Sequence, residues 1–308
     1  MRDAFSSELI KIASENPKVL LLTGDHGYGL FDGLRKRCKS QYVNMGVAEQ
    51  NMVGVAAGLS RSGFLPLVYG LSSFIPVRVL EQIKIDVCHD KLPVIFLGDG
   101  AGFVYSHLGT SHQSTEDISV TRAIPNLVIL SPADRYEMIS CMQLAYKIGE
   151  PVYLRIGKSD RGDVHQNQPN FNIGDLLKLK NGKSGLHLIA TGSMVKTAME
   201  ISKEYKNISL SSAPCLKPIN KDQVISICKE NKVIVTLEEH SIYGGLGSII
   251  SEIAAEVSIA KVLRIGVKDS FSEFCGTYEY LLKEHGLDLK TVKSTISRYL
   301  NNNNMQVS

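Results

Sequence analysis

The chain contains no tryptophan, which excludes nothing by itself, but its other gaps are informative. No run of about 18 apolar residues occurs, so no segment reads as a membrane-spanning helix. The opening MRDAFSSELIKIA lacks the apolar core of a secretory leader. The six cysteines, at 38, 88, 141, 215, 228 and 275, form no Cys-x-x-Cys pair. A chain this long needs no disulfide staples, so they read as reduced cytosolic thiols and the expected location is cytoplasmic. Apart from Arg35-Lys36-Arg37 there is no block of like charge, and the net charge is only +3. The triplet reads as a solvated surface, and nucleic acid is not an implied partner. No internal repeat is evident.

What is present is ordinary globular material. Apolar residues make up 44% and charged residues 21% of 308, enough for two domains with a core each. The first 157 residues alternate helical and strand patterns. Phe5 to Ser14 carries Phe5, Leu9, Ile12 and Ala13 on one helical stripe, which Asn16-Pro17 stops. Val19 to Leu22 is a continuously apolar run, as in a strand buried on both faces. Helices are then predicted over Gly46–Ser60, Phe74–His89 and Asp134–Ile148. Strands are predicted over Phe64–Tyr69, Pro93–Leu97, Asn126–Leu130 and Val152–Ile156. A second alternation follows, with strands at Leu186–Ala190, Val233–Thr236 and Val262–Val267 and helices at Met194–Tyr205 and Gly245–Val257.

This pattern predicts an α/β protein of two domains, each a mostly parallel sheet flanked by helices. The expected division is a first domain over 1–160, a linker over 161–183 with a short strand near 177–180, a second domain over 184–300, and a disordered tail over 301–308. Ligands of such sheets lie beyond the carboxyl ends of the strands. The loops at 24–33, 70–77 and 98–113 are therefore the candidate site loops.

The most informative stretch is Asn44-Met45-Gly46-Val47-Ala48-Glu49-Gln50-Asn51-Met52, running on through Gly54, Ala57 and Gly58. It reads as a helix whose small residues admit a close neighbour, with Glu49 near its start. A carboxylate there has a structural reading too, as a partner of the helix dipole. Further blocks follow in order: Tyr69-Gly70-Leu71-Ser72-Ser73-Phe74, Arg78-x-x-Glu81-Gln82-Ile83, Gly109-Thr110-Ser111-His112-Gln113 and Arg122-Ala123-Ile124-Pro125-Asn126. Ala190-Thr191-Gly192-Ser193 and Glu238-Glu239-His240, ahead of Gly244-Gly245-Leu246-Gly247, continue the series.

Together these blocks resemble the transketolase family, which includes the C-terminal half of deoxyxylulose-phosphate synthase. The resemblance covers nearly the whole chain, as a pyrimidine-binding domain followed by a transketolase C-terminal domain. It implies the C-terminal subunit of a split transketolase, moving a two-carbon ketol unit from a ketose donor to an aldose acceptor with thiamine diphosphate. By the same resemblance Glu49 faces N1′ of the cofactor's aminopyrimidine. Phe74 stacks on that ring, with Leu71, Val77, Arg78 and Gln82 around it. His112 serves proton transfer or sugar binding. Arg2 and Arg155 match arginines that hold an acceptor phosphate, and Asp25, His26 and His107 join the substrate side.

Gly98-Asp99-Gly100 with Asn126 superficially matches a diphosphate and metal motif, but Leu127 stands where its second asparagine would. No metal ligand is therefore expected in this chain. Mg²⁺ or Ca²⁺ and the diphosphate are expected on a partner subunit carrying the N-terminal transketolase domain, in an assembly of two of each chain. The turn at Glu238-Glu239-His240 reads as structural. Gly29, Gly100 and Leu108 stand where relatives carry substrate contacts, which points away from the usual pentose phosphates and towards a modified or nucleotide-activated sugar. Two other readings stay open. One is half of another thiamine enzyme, similar to deoxyxylulose-phosphate synthase or to the β chain of a 2-oxoacid dehydrogenase. The other is a non-catalytic regulatory subunit.

Overall fold

The computed structural model describes residues 1–158, 160–205, 207–257 and 260–304. The strands are β1 (Val19–Thr23), β2 (Tyr42–Asn44), β3 (Leu65–Leu71), β4 (Ile95–Asp99), β5 (Val128–Leu130), β6 (Val152–Ile156), β7 (Leu177–Lys180), β8 (Leu186–Ala190), β9 (Ser209–Ser212), β10 (Cys215–Lys217), β11 (Val233–Ser241) and β12 (Lys261–Val267). They form two sheets, of seven and five strands, flanked by helices.

The first sheet has the order β10-β5-β6-β4-β3-β1-β2 and is parallel except at β10. Every residue of β1, β4 and β6 is buried, as in strands covered on both faces, and this includes the charged Asp99 and Arg155 near their carboxyl ends. The chain passes from β1 to β2 on one side and returns to β3 on the other side of β1. That reversal places a crevice at the carboxyl ends of β1 and β3, where open α/β sheets take ligands. The second sheet has the order β12-β11-β8-β9-β7, with only β7 antiparallel.

The structure corrects several sequence expectations. The helix expected from Gly46 begins at Glu49, because Gly46 has φ 71° and Ala48, at φ −148° and ψ 61°, is not helical; Glu49 is thus its first helical residue. The helix expected over Phe74–His89 is instead a 3₁₀ turn at Val77–Val79, one α turn and a π turn at Ile83–Cys88. Buried Val79, Ile83 and Val87 recur every fourth residue, more than the 3.6 of an α-helix, and a widened turn keeps them on one face. The tail expected from residue 301 is helical at its start: the helix Leu289–Asn302 buries Val292, Ile296 and Leu300. Residues 305–308 lie outside the described part.

The two sheets are also less separate than the sequence division implies. β10 lies beyond residue 183 but pairs antiparallel with β5 of the first sheet. One core cluster runs from Leu22, Met52 and Phe96 to Ile189, Ile234 and Ile250 of the second domain. The six cysteines are all free thiols. No helix among the described residues is long and apolar enough to cross a membrane.

Candidate functional site

At the crevice, Asn44 at the end of β2 knits two loops together. Its Oδ1 accepts from the Asp25 N–H at 3.2 Å and the Gly46 N–H at 2.9 Å. Its amide donates to Asp25 Oδ1 at 3.2 Å, and Tyr28 donates its hydroxyl to the same oxygen. These bonds hold the exposed Asp25 carboxyl below the usual range, the tyrosine contributing most. In the sequence Asn44 stands out only as part of a block. Its signal is an amide two residues before Gly46, a residue that takes a positive φ.

Glu49, 4% exposed, follows directly. Its Oε2 accepts from Arg78 Nη1 at 3.1 Å, while its Oε1 is buried with no hydrogen-bond partner among the described residues. The Arg78 guanidinium lies 4.1 Å from the centroid of the Phe74 ring. Phe74 meets His112 edge-on at 5.5 Å between centroids and His26 at 6.4 Å. Ser111 Oγ lies 3.0 Å from His112 Nδ1. The structure thus joins Glu49, Arg78, Phe74, His112 and His26 through direct contacts, from loops after β1, β2, β3 and β4.

Several polar atoms here are buried without protein partners among the described residues. They are Glu49 Oε1, His26 Nε2, Gln82 Oε1, Gln113 Nε2 and the hydroxyls of Ser72 and Ser73. Each would cost about 1–3 kcal/mol if nothing bonded to it, so their presence on these loops favours a polar ligand. The donor set fits a flat aminopyrimidine: a carboxylate oxygen without a protein partner among the described residues at one end, and an aromatic ring linked to that carboxylate through Arg78. The Arg78 guanidinium lies against both Glu49 and Phe74, so a ring stacked on that face of Phe74 has to displace it.

A neighbouring cluster surrounds Asp99. Tyr69 and Tyr105 donate to its Oδ2 at 2.7 and 2.9 Å, and Arg2 Nη2 lies 3.3 Å from that oxygen. Burial and this carboxylate push both phenols up. Asn126 donates its amide to the Cys88 carbonyl at 3.0 Å. The two polar residues of the superficial metal motif therefore have separate structural duties. Arg2 keeps a half-exposed side chain at the crevice.

Arg155 is placed differently from the expectation. Its side chain is 3% exposed; Nε donates to Asp117 Oδ2 at 2.7 Å, and Nη2 donates to the carbonyls of Glu239 at 2.8 Å and Ser114 at 3.2 Å. It braces the two domains rather than facing an open site, because it sits on a central strand with both faces covered. His107 lies on an exposed turn, Ser106–Leu108, and no hydrogen bond or ring contact among the described residues joins it to Glu49, Phe74 or His112. The turn expected at Glu238–His240 is instead the buried end of β11, and its residues serve structure: Glu238 accepts from the N–H groups of Leu246 and Gly247 at 2.7 and 2.8 Å, and Glu239 accepts from the Phe103 N–H, Ser193 and Tyr278.

A parallel sheet with ligand loops at its reversal, joined to a smaller α/β domain, is a recurrent cofactor-binding design, and comparison with known proteins identifies which one. Residues 1–162 match the family model "Transketolase, pyrimidine binding domain", and residues 175–292 match "Transketolase, C-terminal domain". The chain belongs to the transketolase family. It is 33% identical over 96% of its length, and 95% of the relative's, to a putative transketolase C-terminal section of Methanocaldococcus jannaschii. It is 30% identical to one of the subunits of an apulose-4-phosphate transketolase from Phocaeicola vulgatus, over 97% of both chains. A solved structure of a split gene transketolase, an inactive β4 tetramer, superposes with a TM-score of 0.87 at 32% identity, covering 97% of each chain. The chain spans 48% of the length of a matching 1-deoxy-D-xylulose-5-phosphate synthase from Caldanaerobacter subterraneus.

Proposed function

We propose that this chain is the C-terminal subunit of a two-chain, thiamine-diphosphate-dependent transketolase. The observation that carries the reading is Glu49. It is a buried carboxylate at the first turn of its helix, held by Arg78 through one oxygen and unpartnered at the other among the described residues, beside the ring of Phe74. When bound, thiamine diphosphate supplies the carbanion that accepts and releases a ketol unit. Glu49 holds the proton at the pyrimidine N1′ position, and Phe74 orients the ring by stacking. His112, flanked by Ser111, moves a proton at a sugar hydroxyl. Burial of Glu49 keeps water from its carboxyl.

The diphosphate and its Mg²⁺ or Ca²⁺ belong to the partner subunit, a reading supported by the structural duties Asp99 and Asn126 already have here, Asp99 accepting from Tyr69 and Tyr105 and Asn126 donating to the Cys88 carbonyl. The substrates are phosphorylated sugars other than the usual pentose phosphates. Support comes from Gly29, Gly100 and exposed Leu108 at contact positions, and from a relative that forms part of an apulose-4-phosphate transketolase.

Calorimetry with thiamine diphosphate and Mg²⁺ tests this, using the chain alone and mixed with a candidate partner, followed by a ketose and aldose screen. Binding and ketol transfer only in the mixture support the reading. Tight binding to the chain alone overturns the shared site. The match to deoxyxylulose-phosphate synthases favours one second reading, half of such an enzyme; consumption of pyruvate by the mixture would select it.

A further inference from the structure

A second cavity lies in the C-terminal domain, between β12 and the helices Tyr278–Glu284 and Leu289–Asn302. Its volume is 360 Å³, within the range of small-ligand sites and far too small for a macromolecule. Three cations line it, Arg264, Lys268 and Lys283, against one carboxylate, Glu284. None of the three has a carboxylate partner within ion-pair distance among the described residues. Arg264 only donates Nη1 to the Ile242 carbonyl at 2.9 Å. Glu284 is drawn aside by the Glu273 N–H at 2.5 Å. The lining thus carries three positive charges to one negative around a concave space, a field that attracts anions.

His285 lines the same cavity and connects it to the first site. Its ring stacks on Phe103 at 4.7 Å and 17°. Its Nε2 lies 2.9 Å from Ser272 Oγ, and Ser272 donates its single hydroxyl proton to Gln113 Oε1 at 2.9 Å. With that proton committed, His285 Nε2–H is the donor to Ser272, and Nδ1 is the acceptor nitrogen of the neutral ring. An anion in the cavity favours a proton on Nδ1, which strengthens the whole chain of bonds. Gln113 is the neighbour of His112 on the same loop.

We propose that this cavity binds a small molecule bearing a phosphate group, and that its occupancy is read at the His112 loop through His285, Ser272 and Gln113. Free inorganic anions and phosphorylated metabolites share the recognised chemistry. The site goes beyond the ketol-transfer reading and stands apart from it.

The test titrates inorganic pyrophosphate, and separately ribose 5-phosphate, into the full chain with isotopically labelled histidine. Calorimetry and histidine ring shifts are followed, with no turnover measured, so failure here leaves the ketol-transfer reading untouched. The expected result is saturable binding that weakens as salt rises from about 0.05 to 0.2 M. Shifts are expected at His285 and His112. Lys268→Gln with Lys283→Gln, at two exposed positions that leave melting unchanged, is expected to weaken binding about tenfold or more. Ser272→Ala is expected to retain binding and lose the His112 shift. Stronger binding of the sugar phosphate points to a metabolite, and equal binding to a plain anion site; both support the proposal. No saturable binding, or binding indifferent to both lysines, overturns the site. Binding that never moves His112 overturns the coupling.

Discussion

Glu49 carries two oxygens in unlike settings, one paired with Arg78 and one buried without a protein partner among the described residues. Glu49→Gln preserves size and helix position but cannot hold an acidic proton. It is expected to lower the ketol-transfer rate of the two-chain enzyme by roughly 10²–10⁴-fold while leaving assembly intact, as initial rates and gel filtration would show. Phe74→Ala removes a stacking surface of about 0.5–1.5 kcal/mol beyond its area burial, so cofactor affinity is expected to fall at least about 3- to 10-fold by calorimetry. Equal turnover in the Glu49 variant would refute its assigned role. These residues were legible in the sequence because each lies within a short ordered block, next to the glycines and hydroxyls that shape its loop. Arg155 was not, because its partner Asp117 is 38 residues away and the contact arises only when β6 is covered. Asn44 and the Asp99 hub escaped for the same reason, their meaning lying in partners that sequence proximity does not reveal.

At the scale of the element, apolar runs announced their strands: β1 and β4 begin where unbroken hydrophobic residues predicted them, and β6 where a run broken only by Arg155 did. Three-residue strands such as β2 and β10 left no comparable trace, and the wide turn at Ile83–Cys88 looks helical to any reading that counts apolar residues. The junction between β6, the Asp117 helix and β11 rests on the buried Arg155–Asp117 pair. Arg155→Met leaves a buried carboxylate without its cation, which also accepts from Tyr153 at 2.7 Å. A loss of about 3–5 kcal/mol is expected in urea or guanidinium unfolding. A loss under about 1 kcal/mol would mean that Asp117 simply takes up a proton.

For the molecule as a whole, buried titratable groups set the dependence of stability on pH. Burial lowers His187 and His240 to about 4. Their folded values lie below the ordinary 6.5, so the stability they contribute is present above 6.5 and is lost as pH falls towards 4. Burial raises Glu137 and Glu238 to about 7. Their contribution is present below the ordinary 4.5 and is lost as pH rises through 7. The melting temperature is therefore expected to decline on both sides of a mildly acidic maximum. His187→Gln, which can still reach Ser211, is expected to flatten the acid side; an unchanged acid slope would exclude His187 as its source.

The pairing of β10 with β5 also orders events in time. The edge of β5 is synthesised long before its partner, since 85 residues separate Leu130 from Cys215. At about 5–20 residues per second that gap lasts roughly 4–17 s on the ribosome. Throughout it the first sheet has an open apolar edge, able to pair with another nascent chain. The N-terminal lobe cannot close before much of its neighbour has been made, so the two lobes mature on one clock.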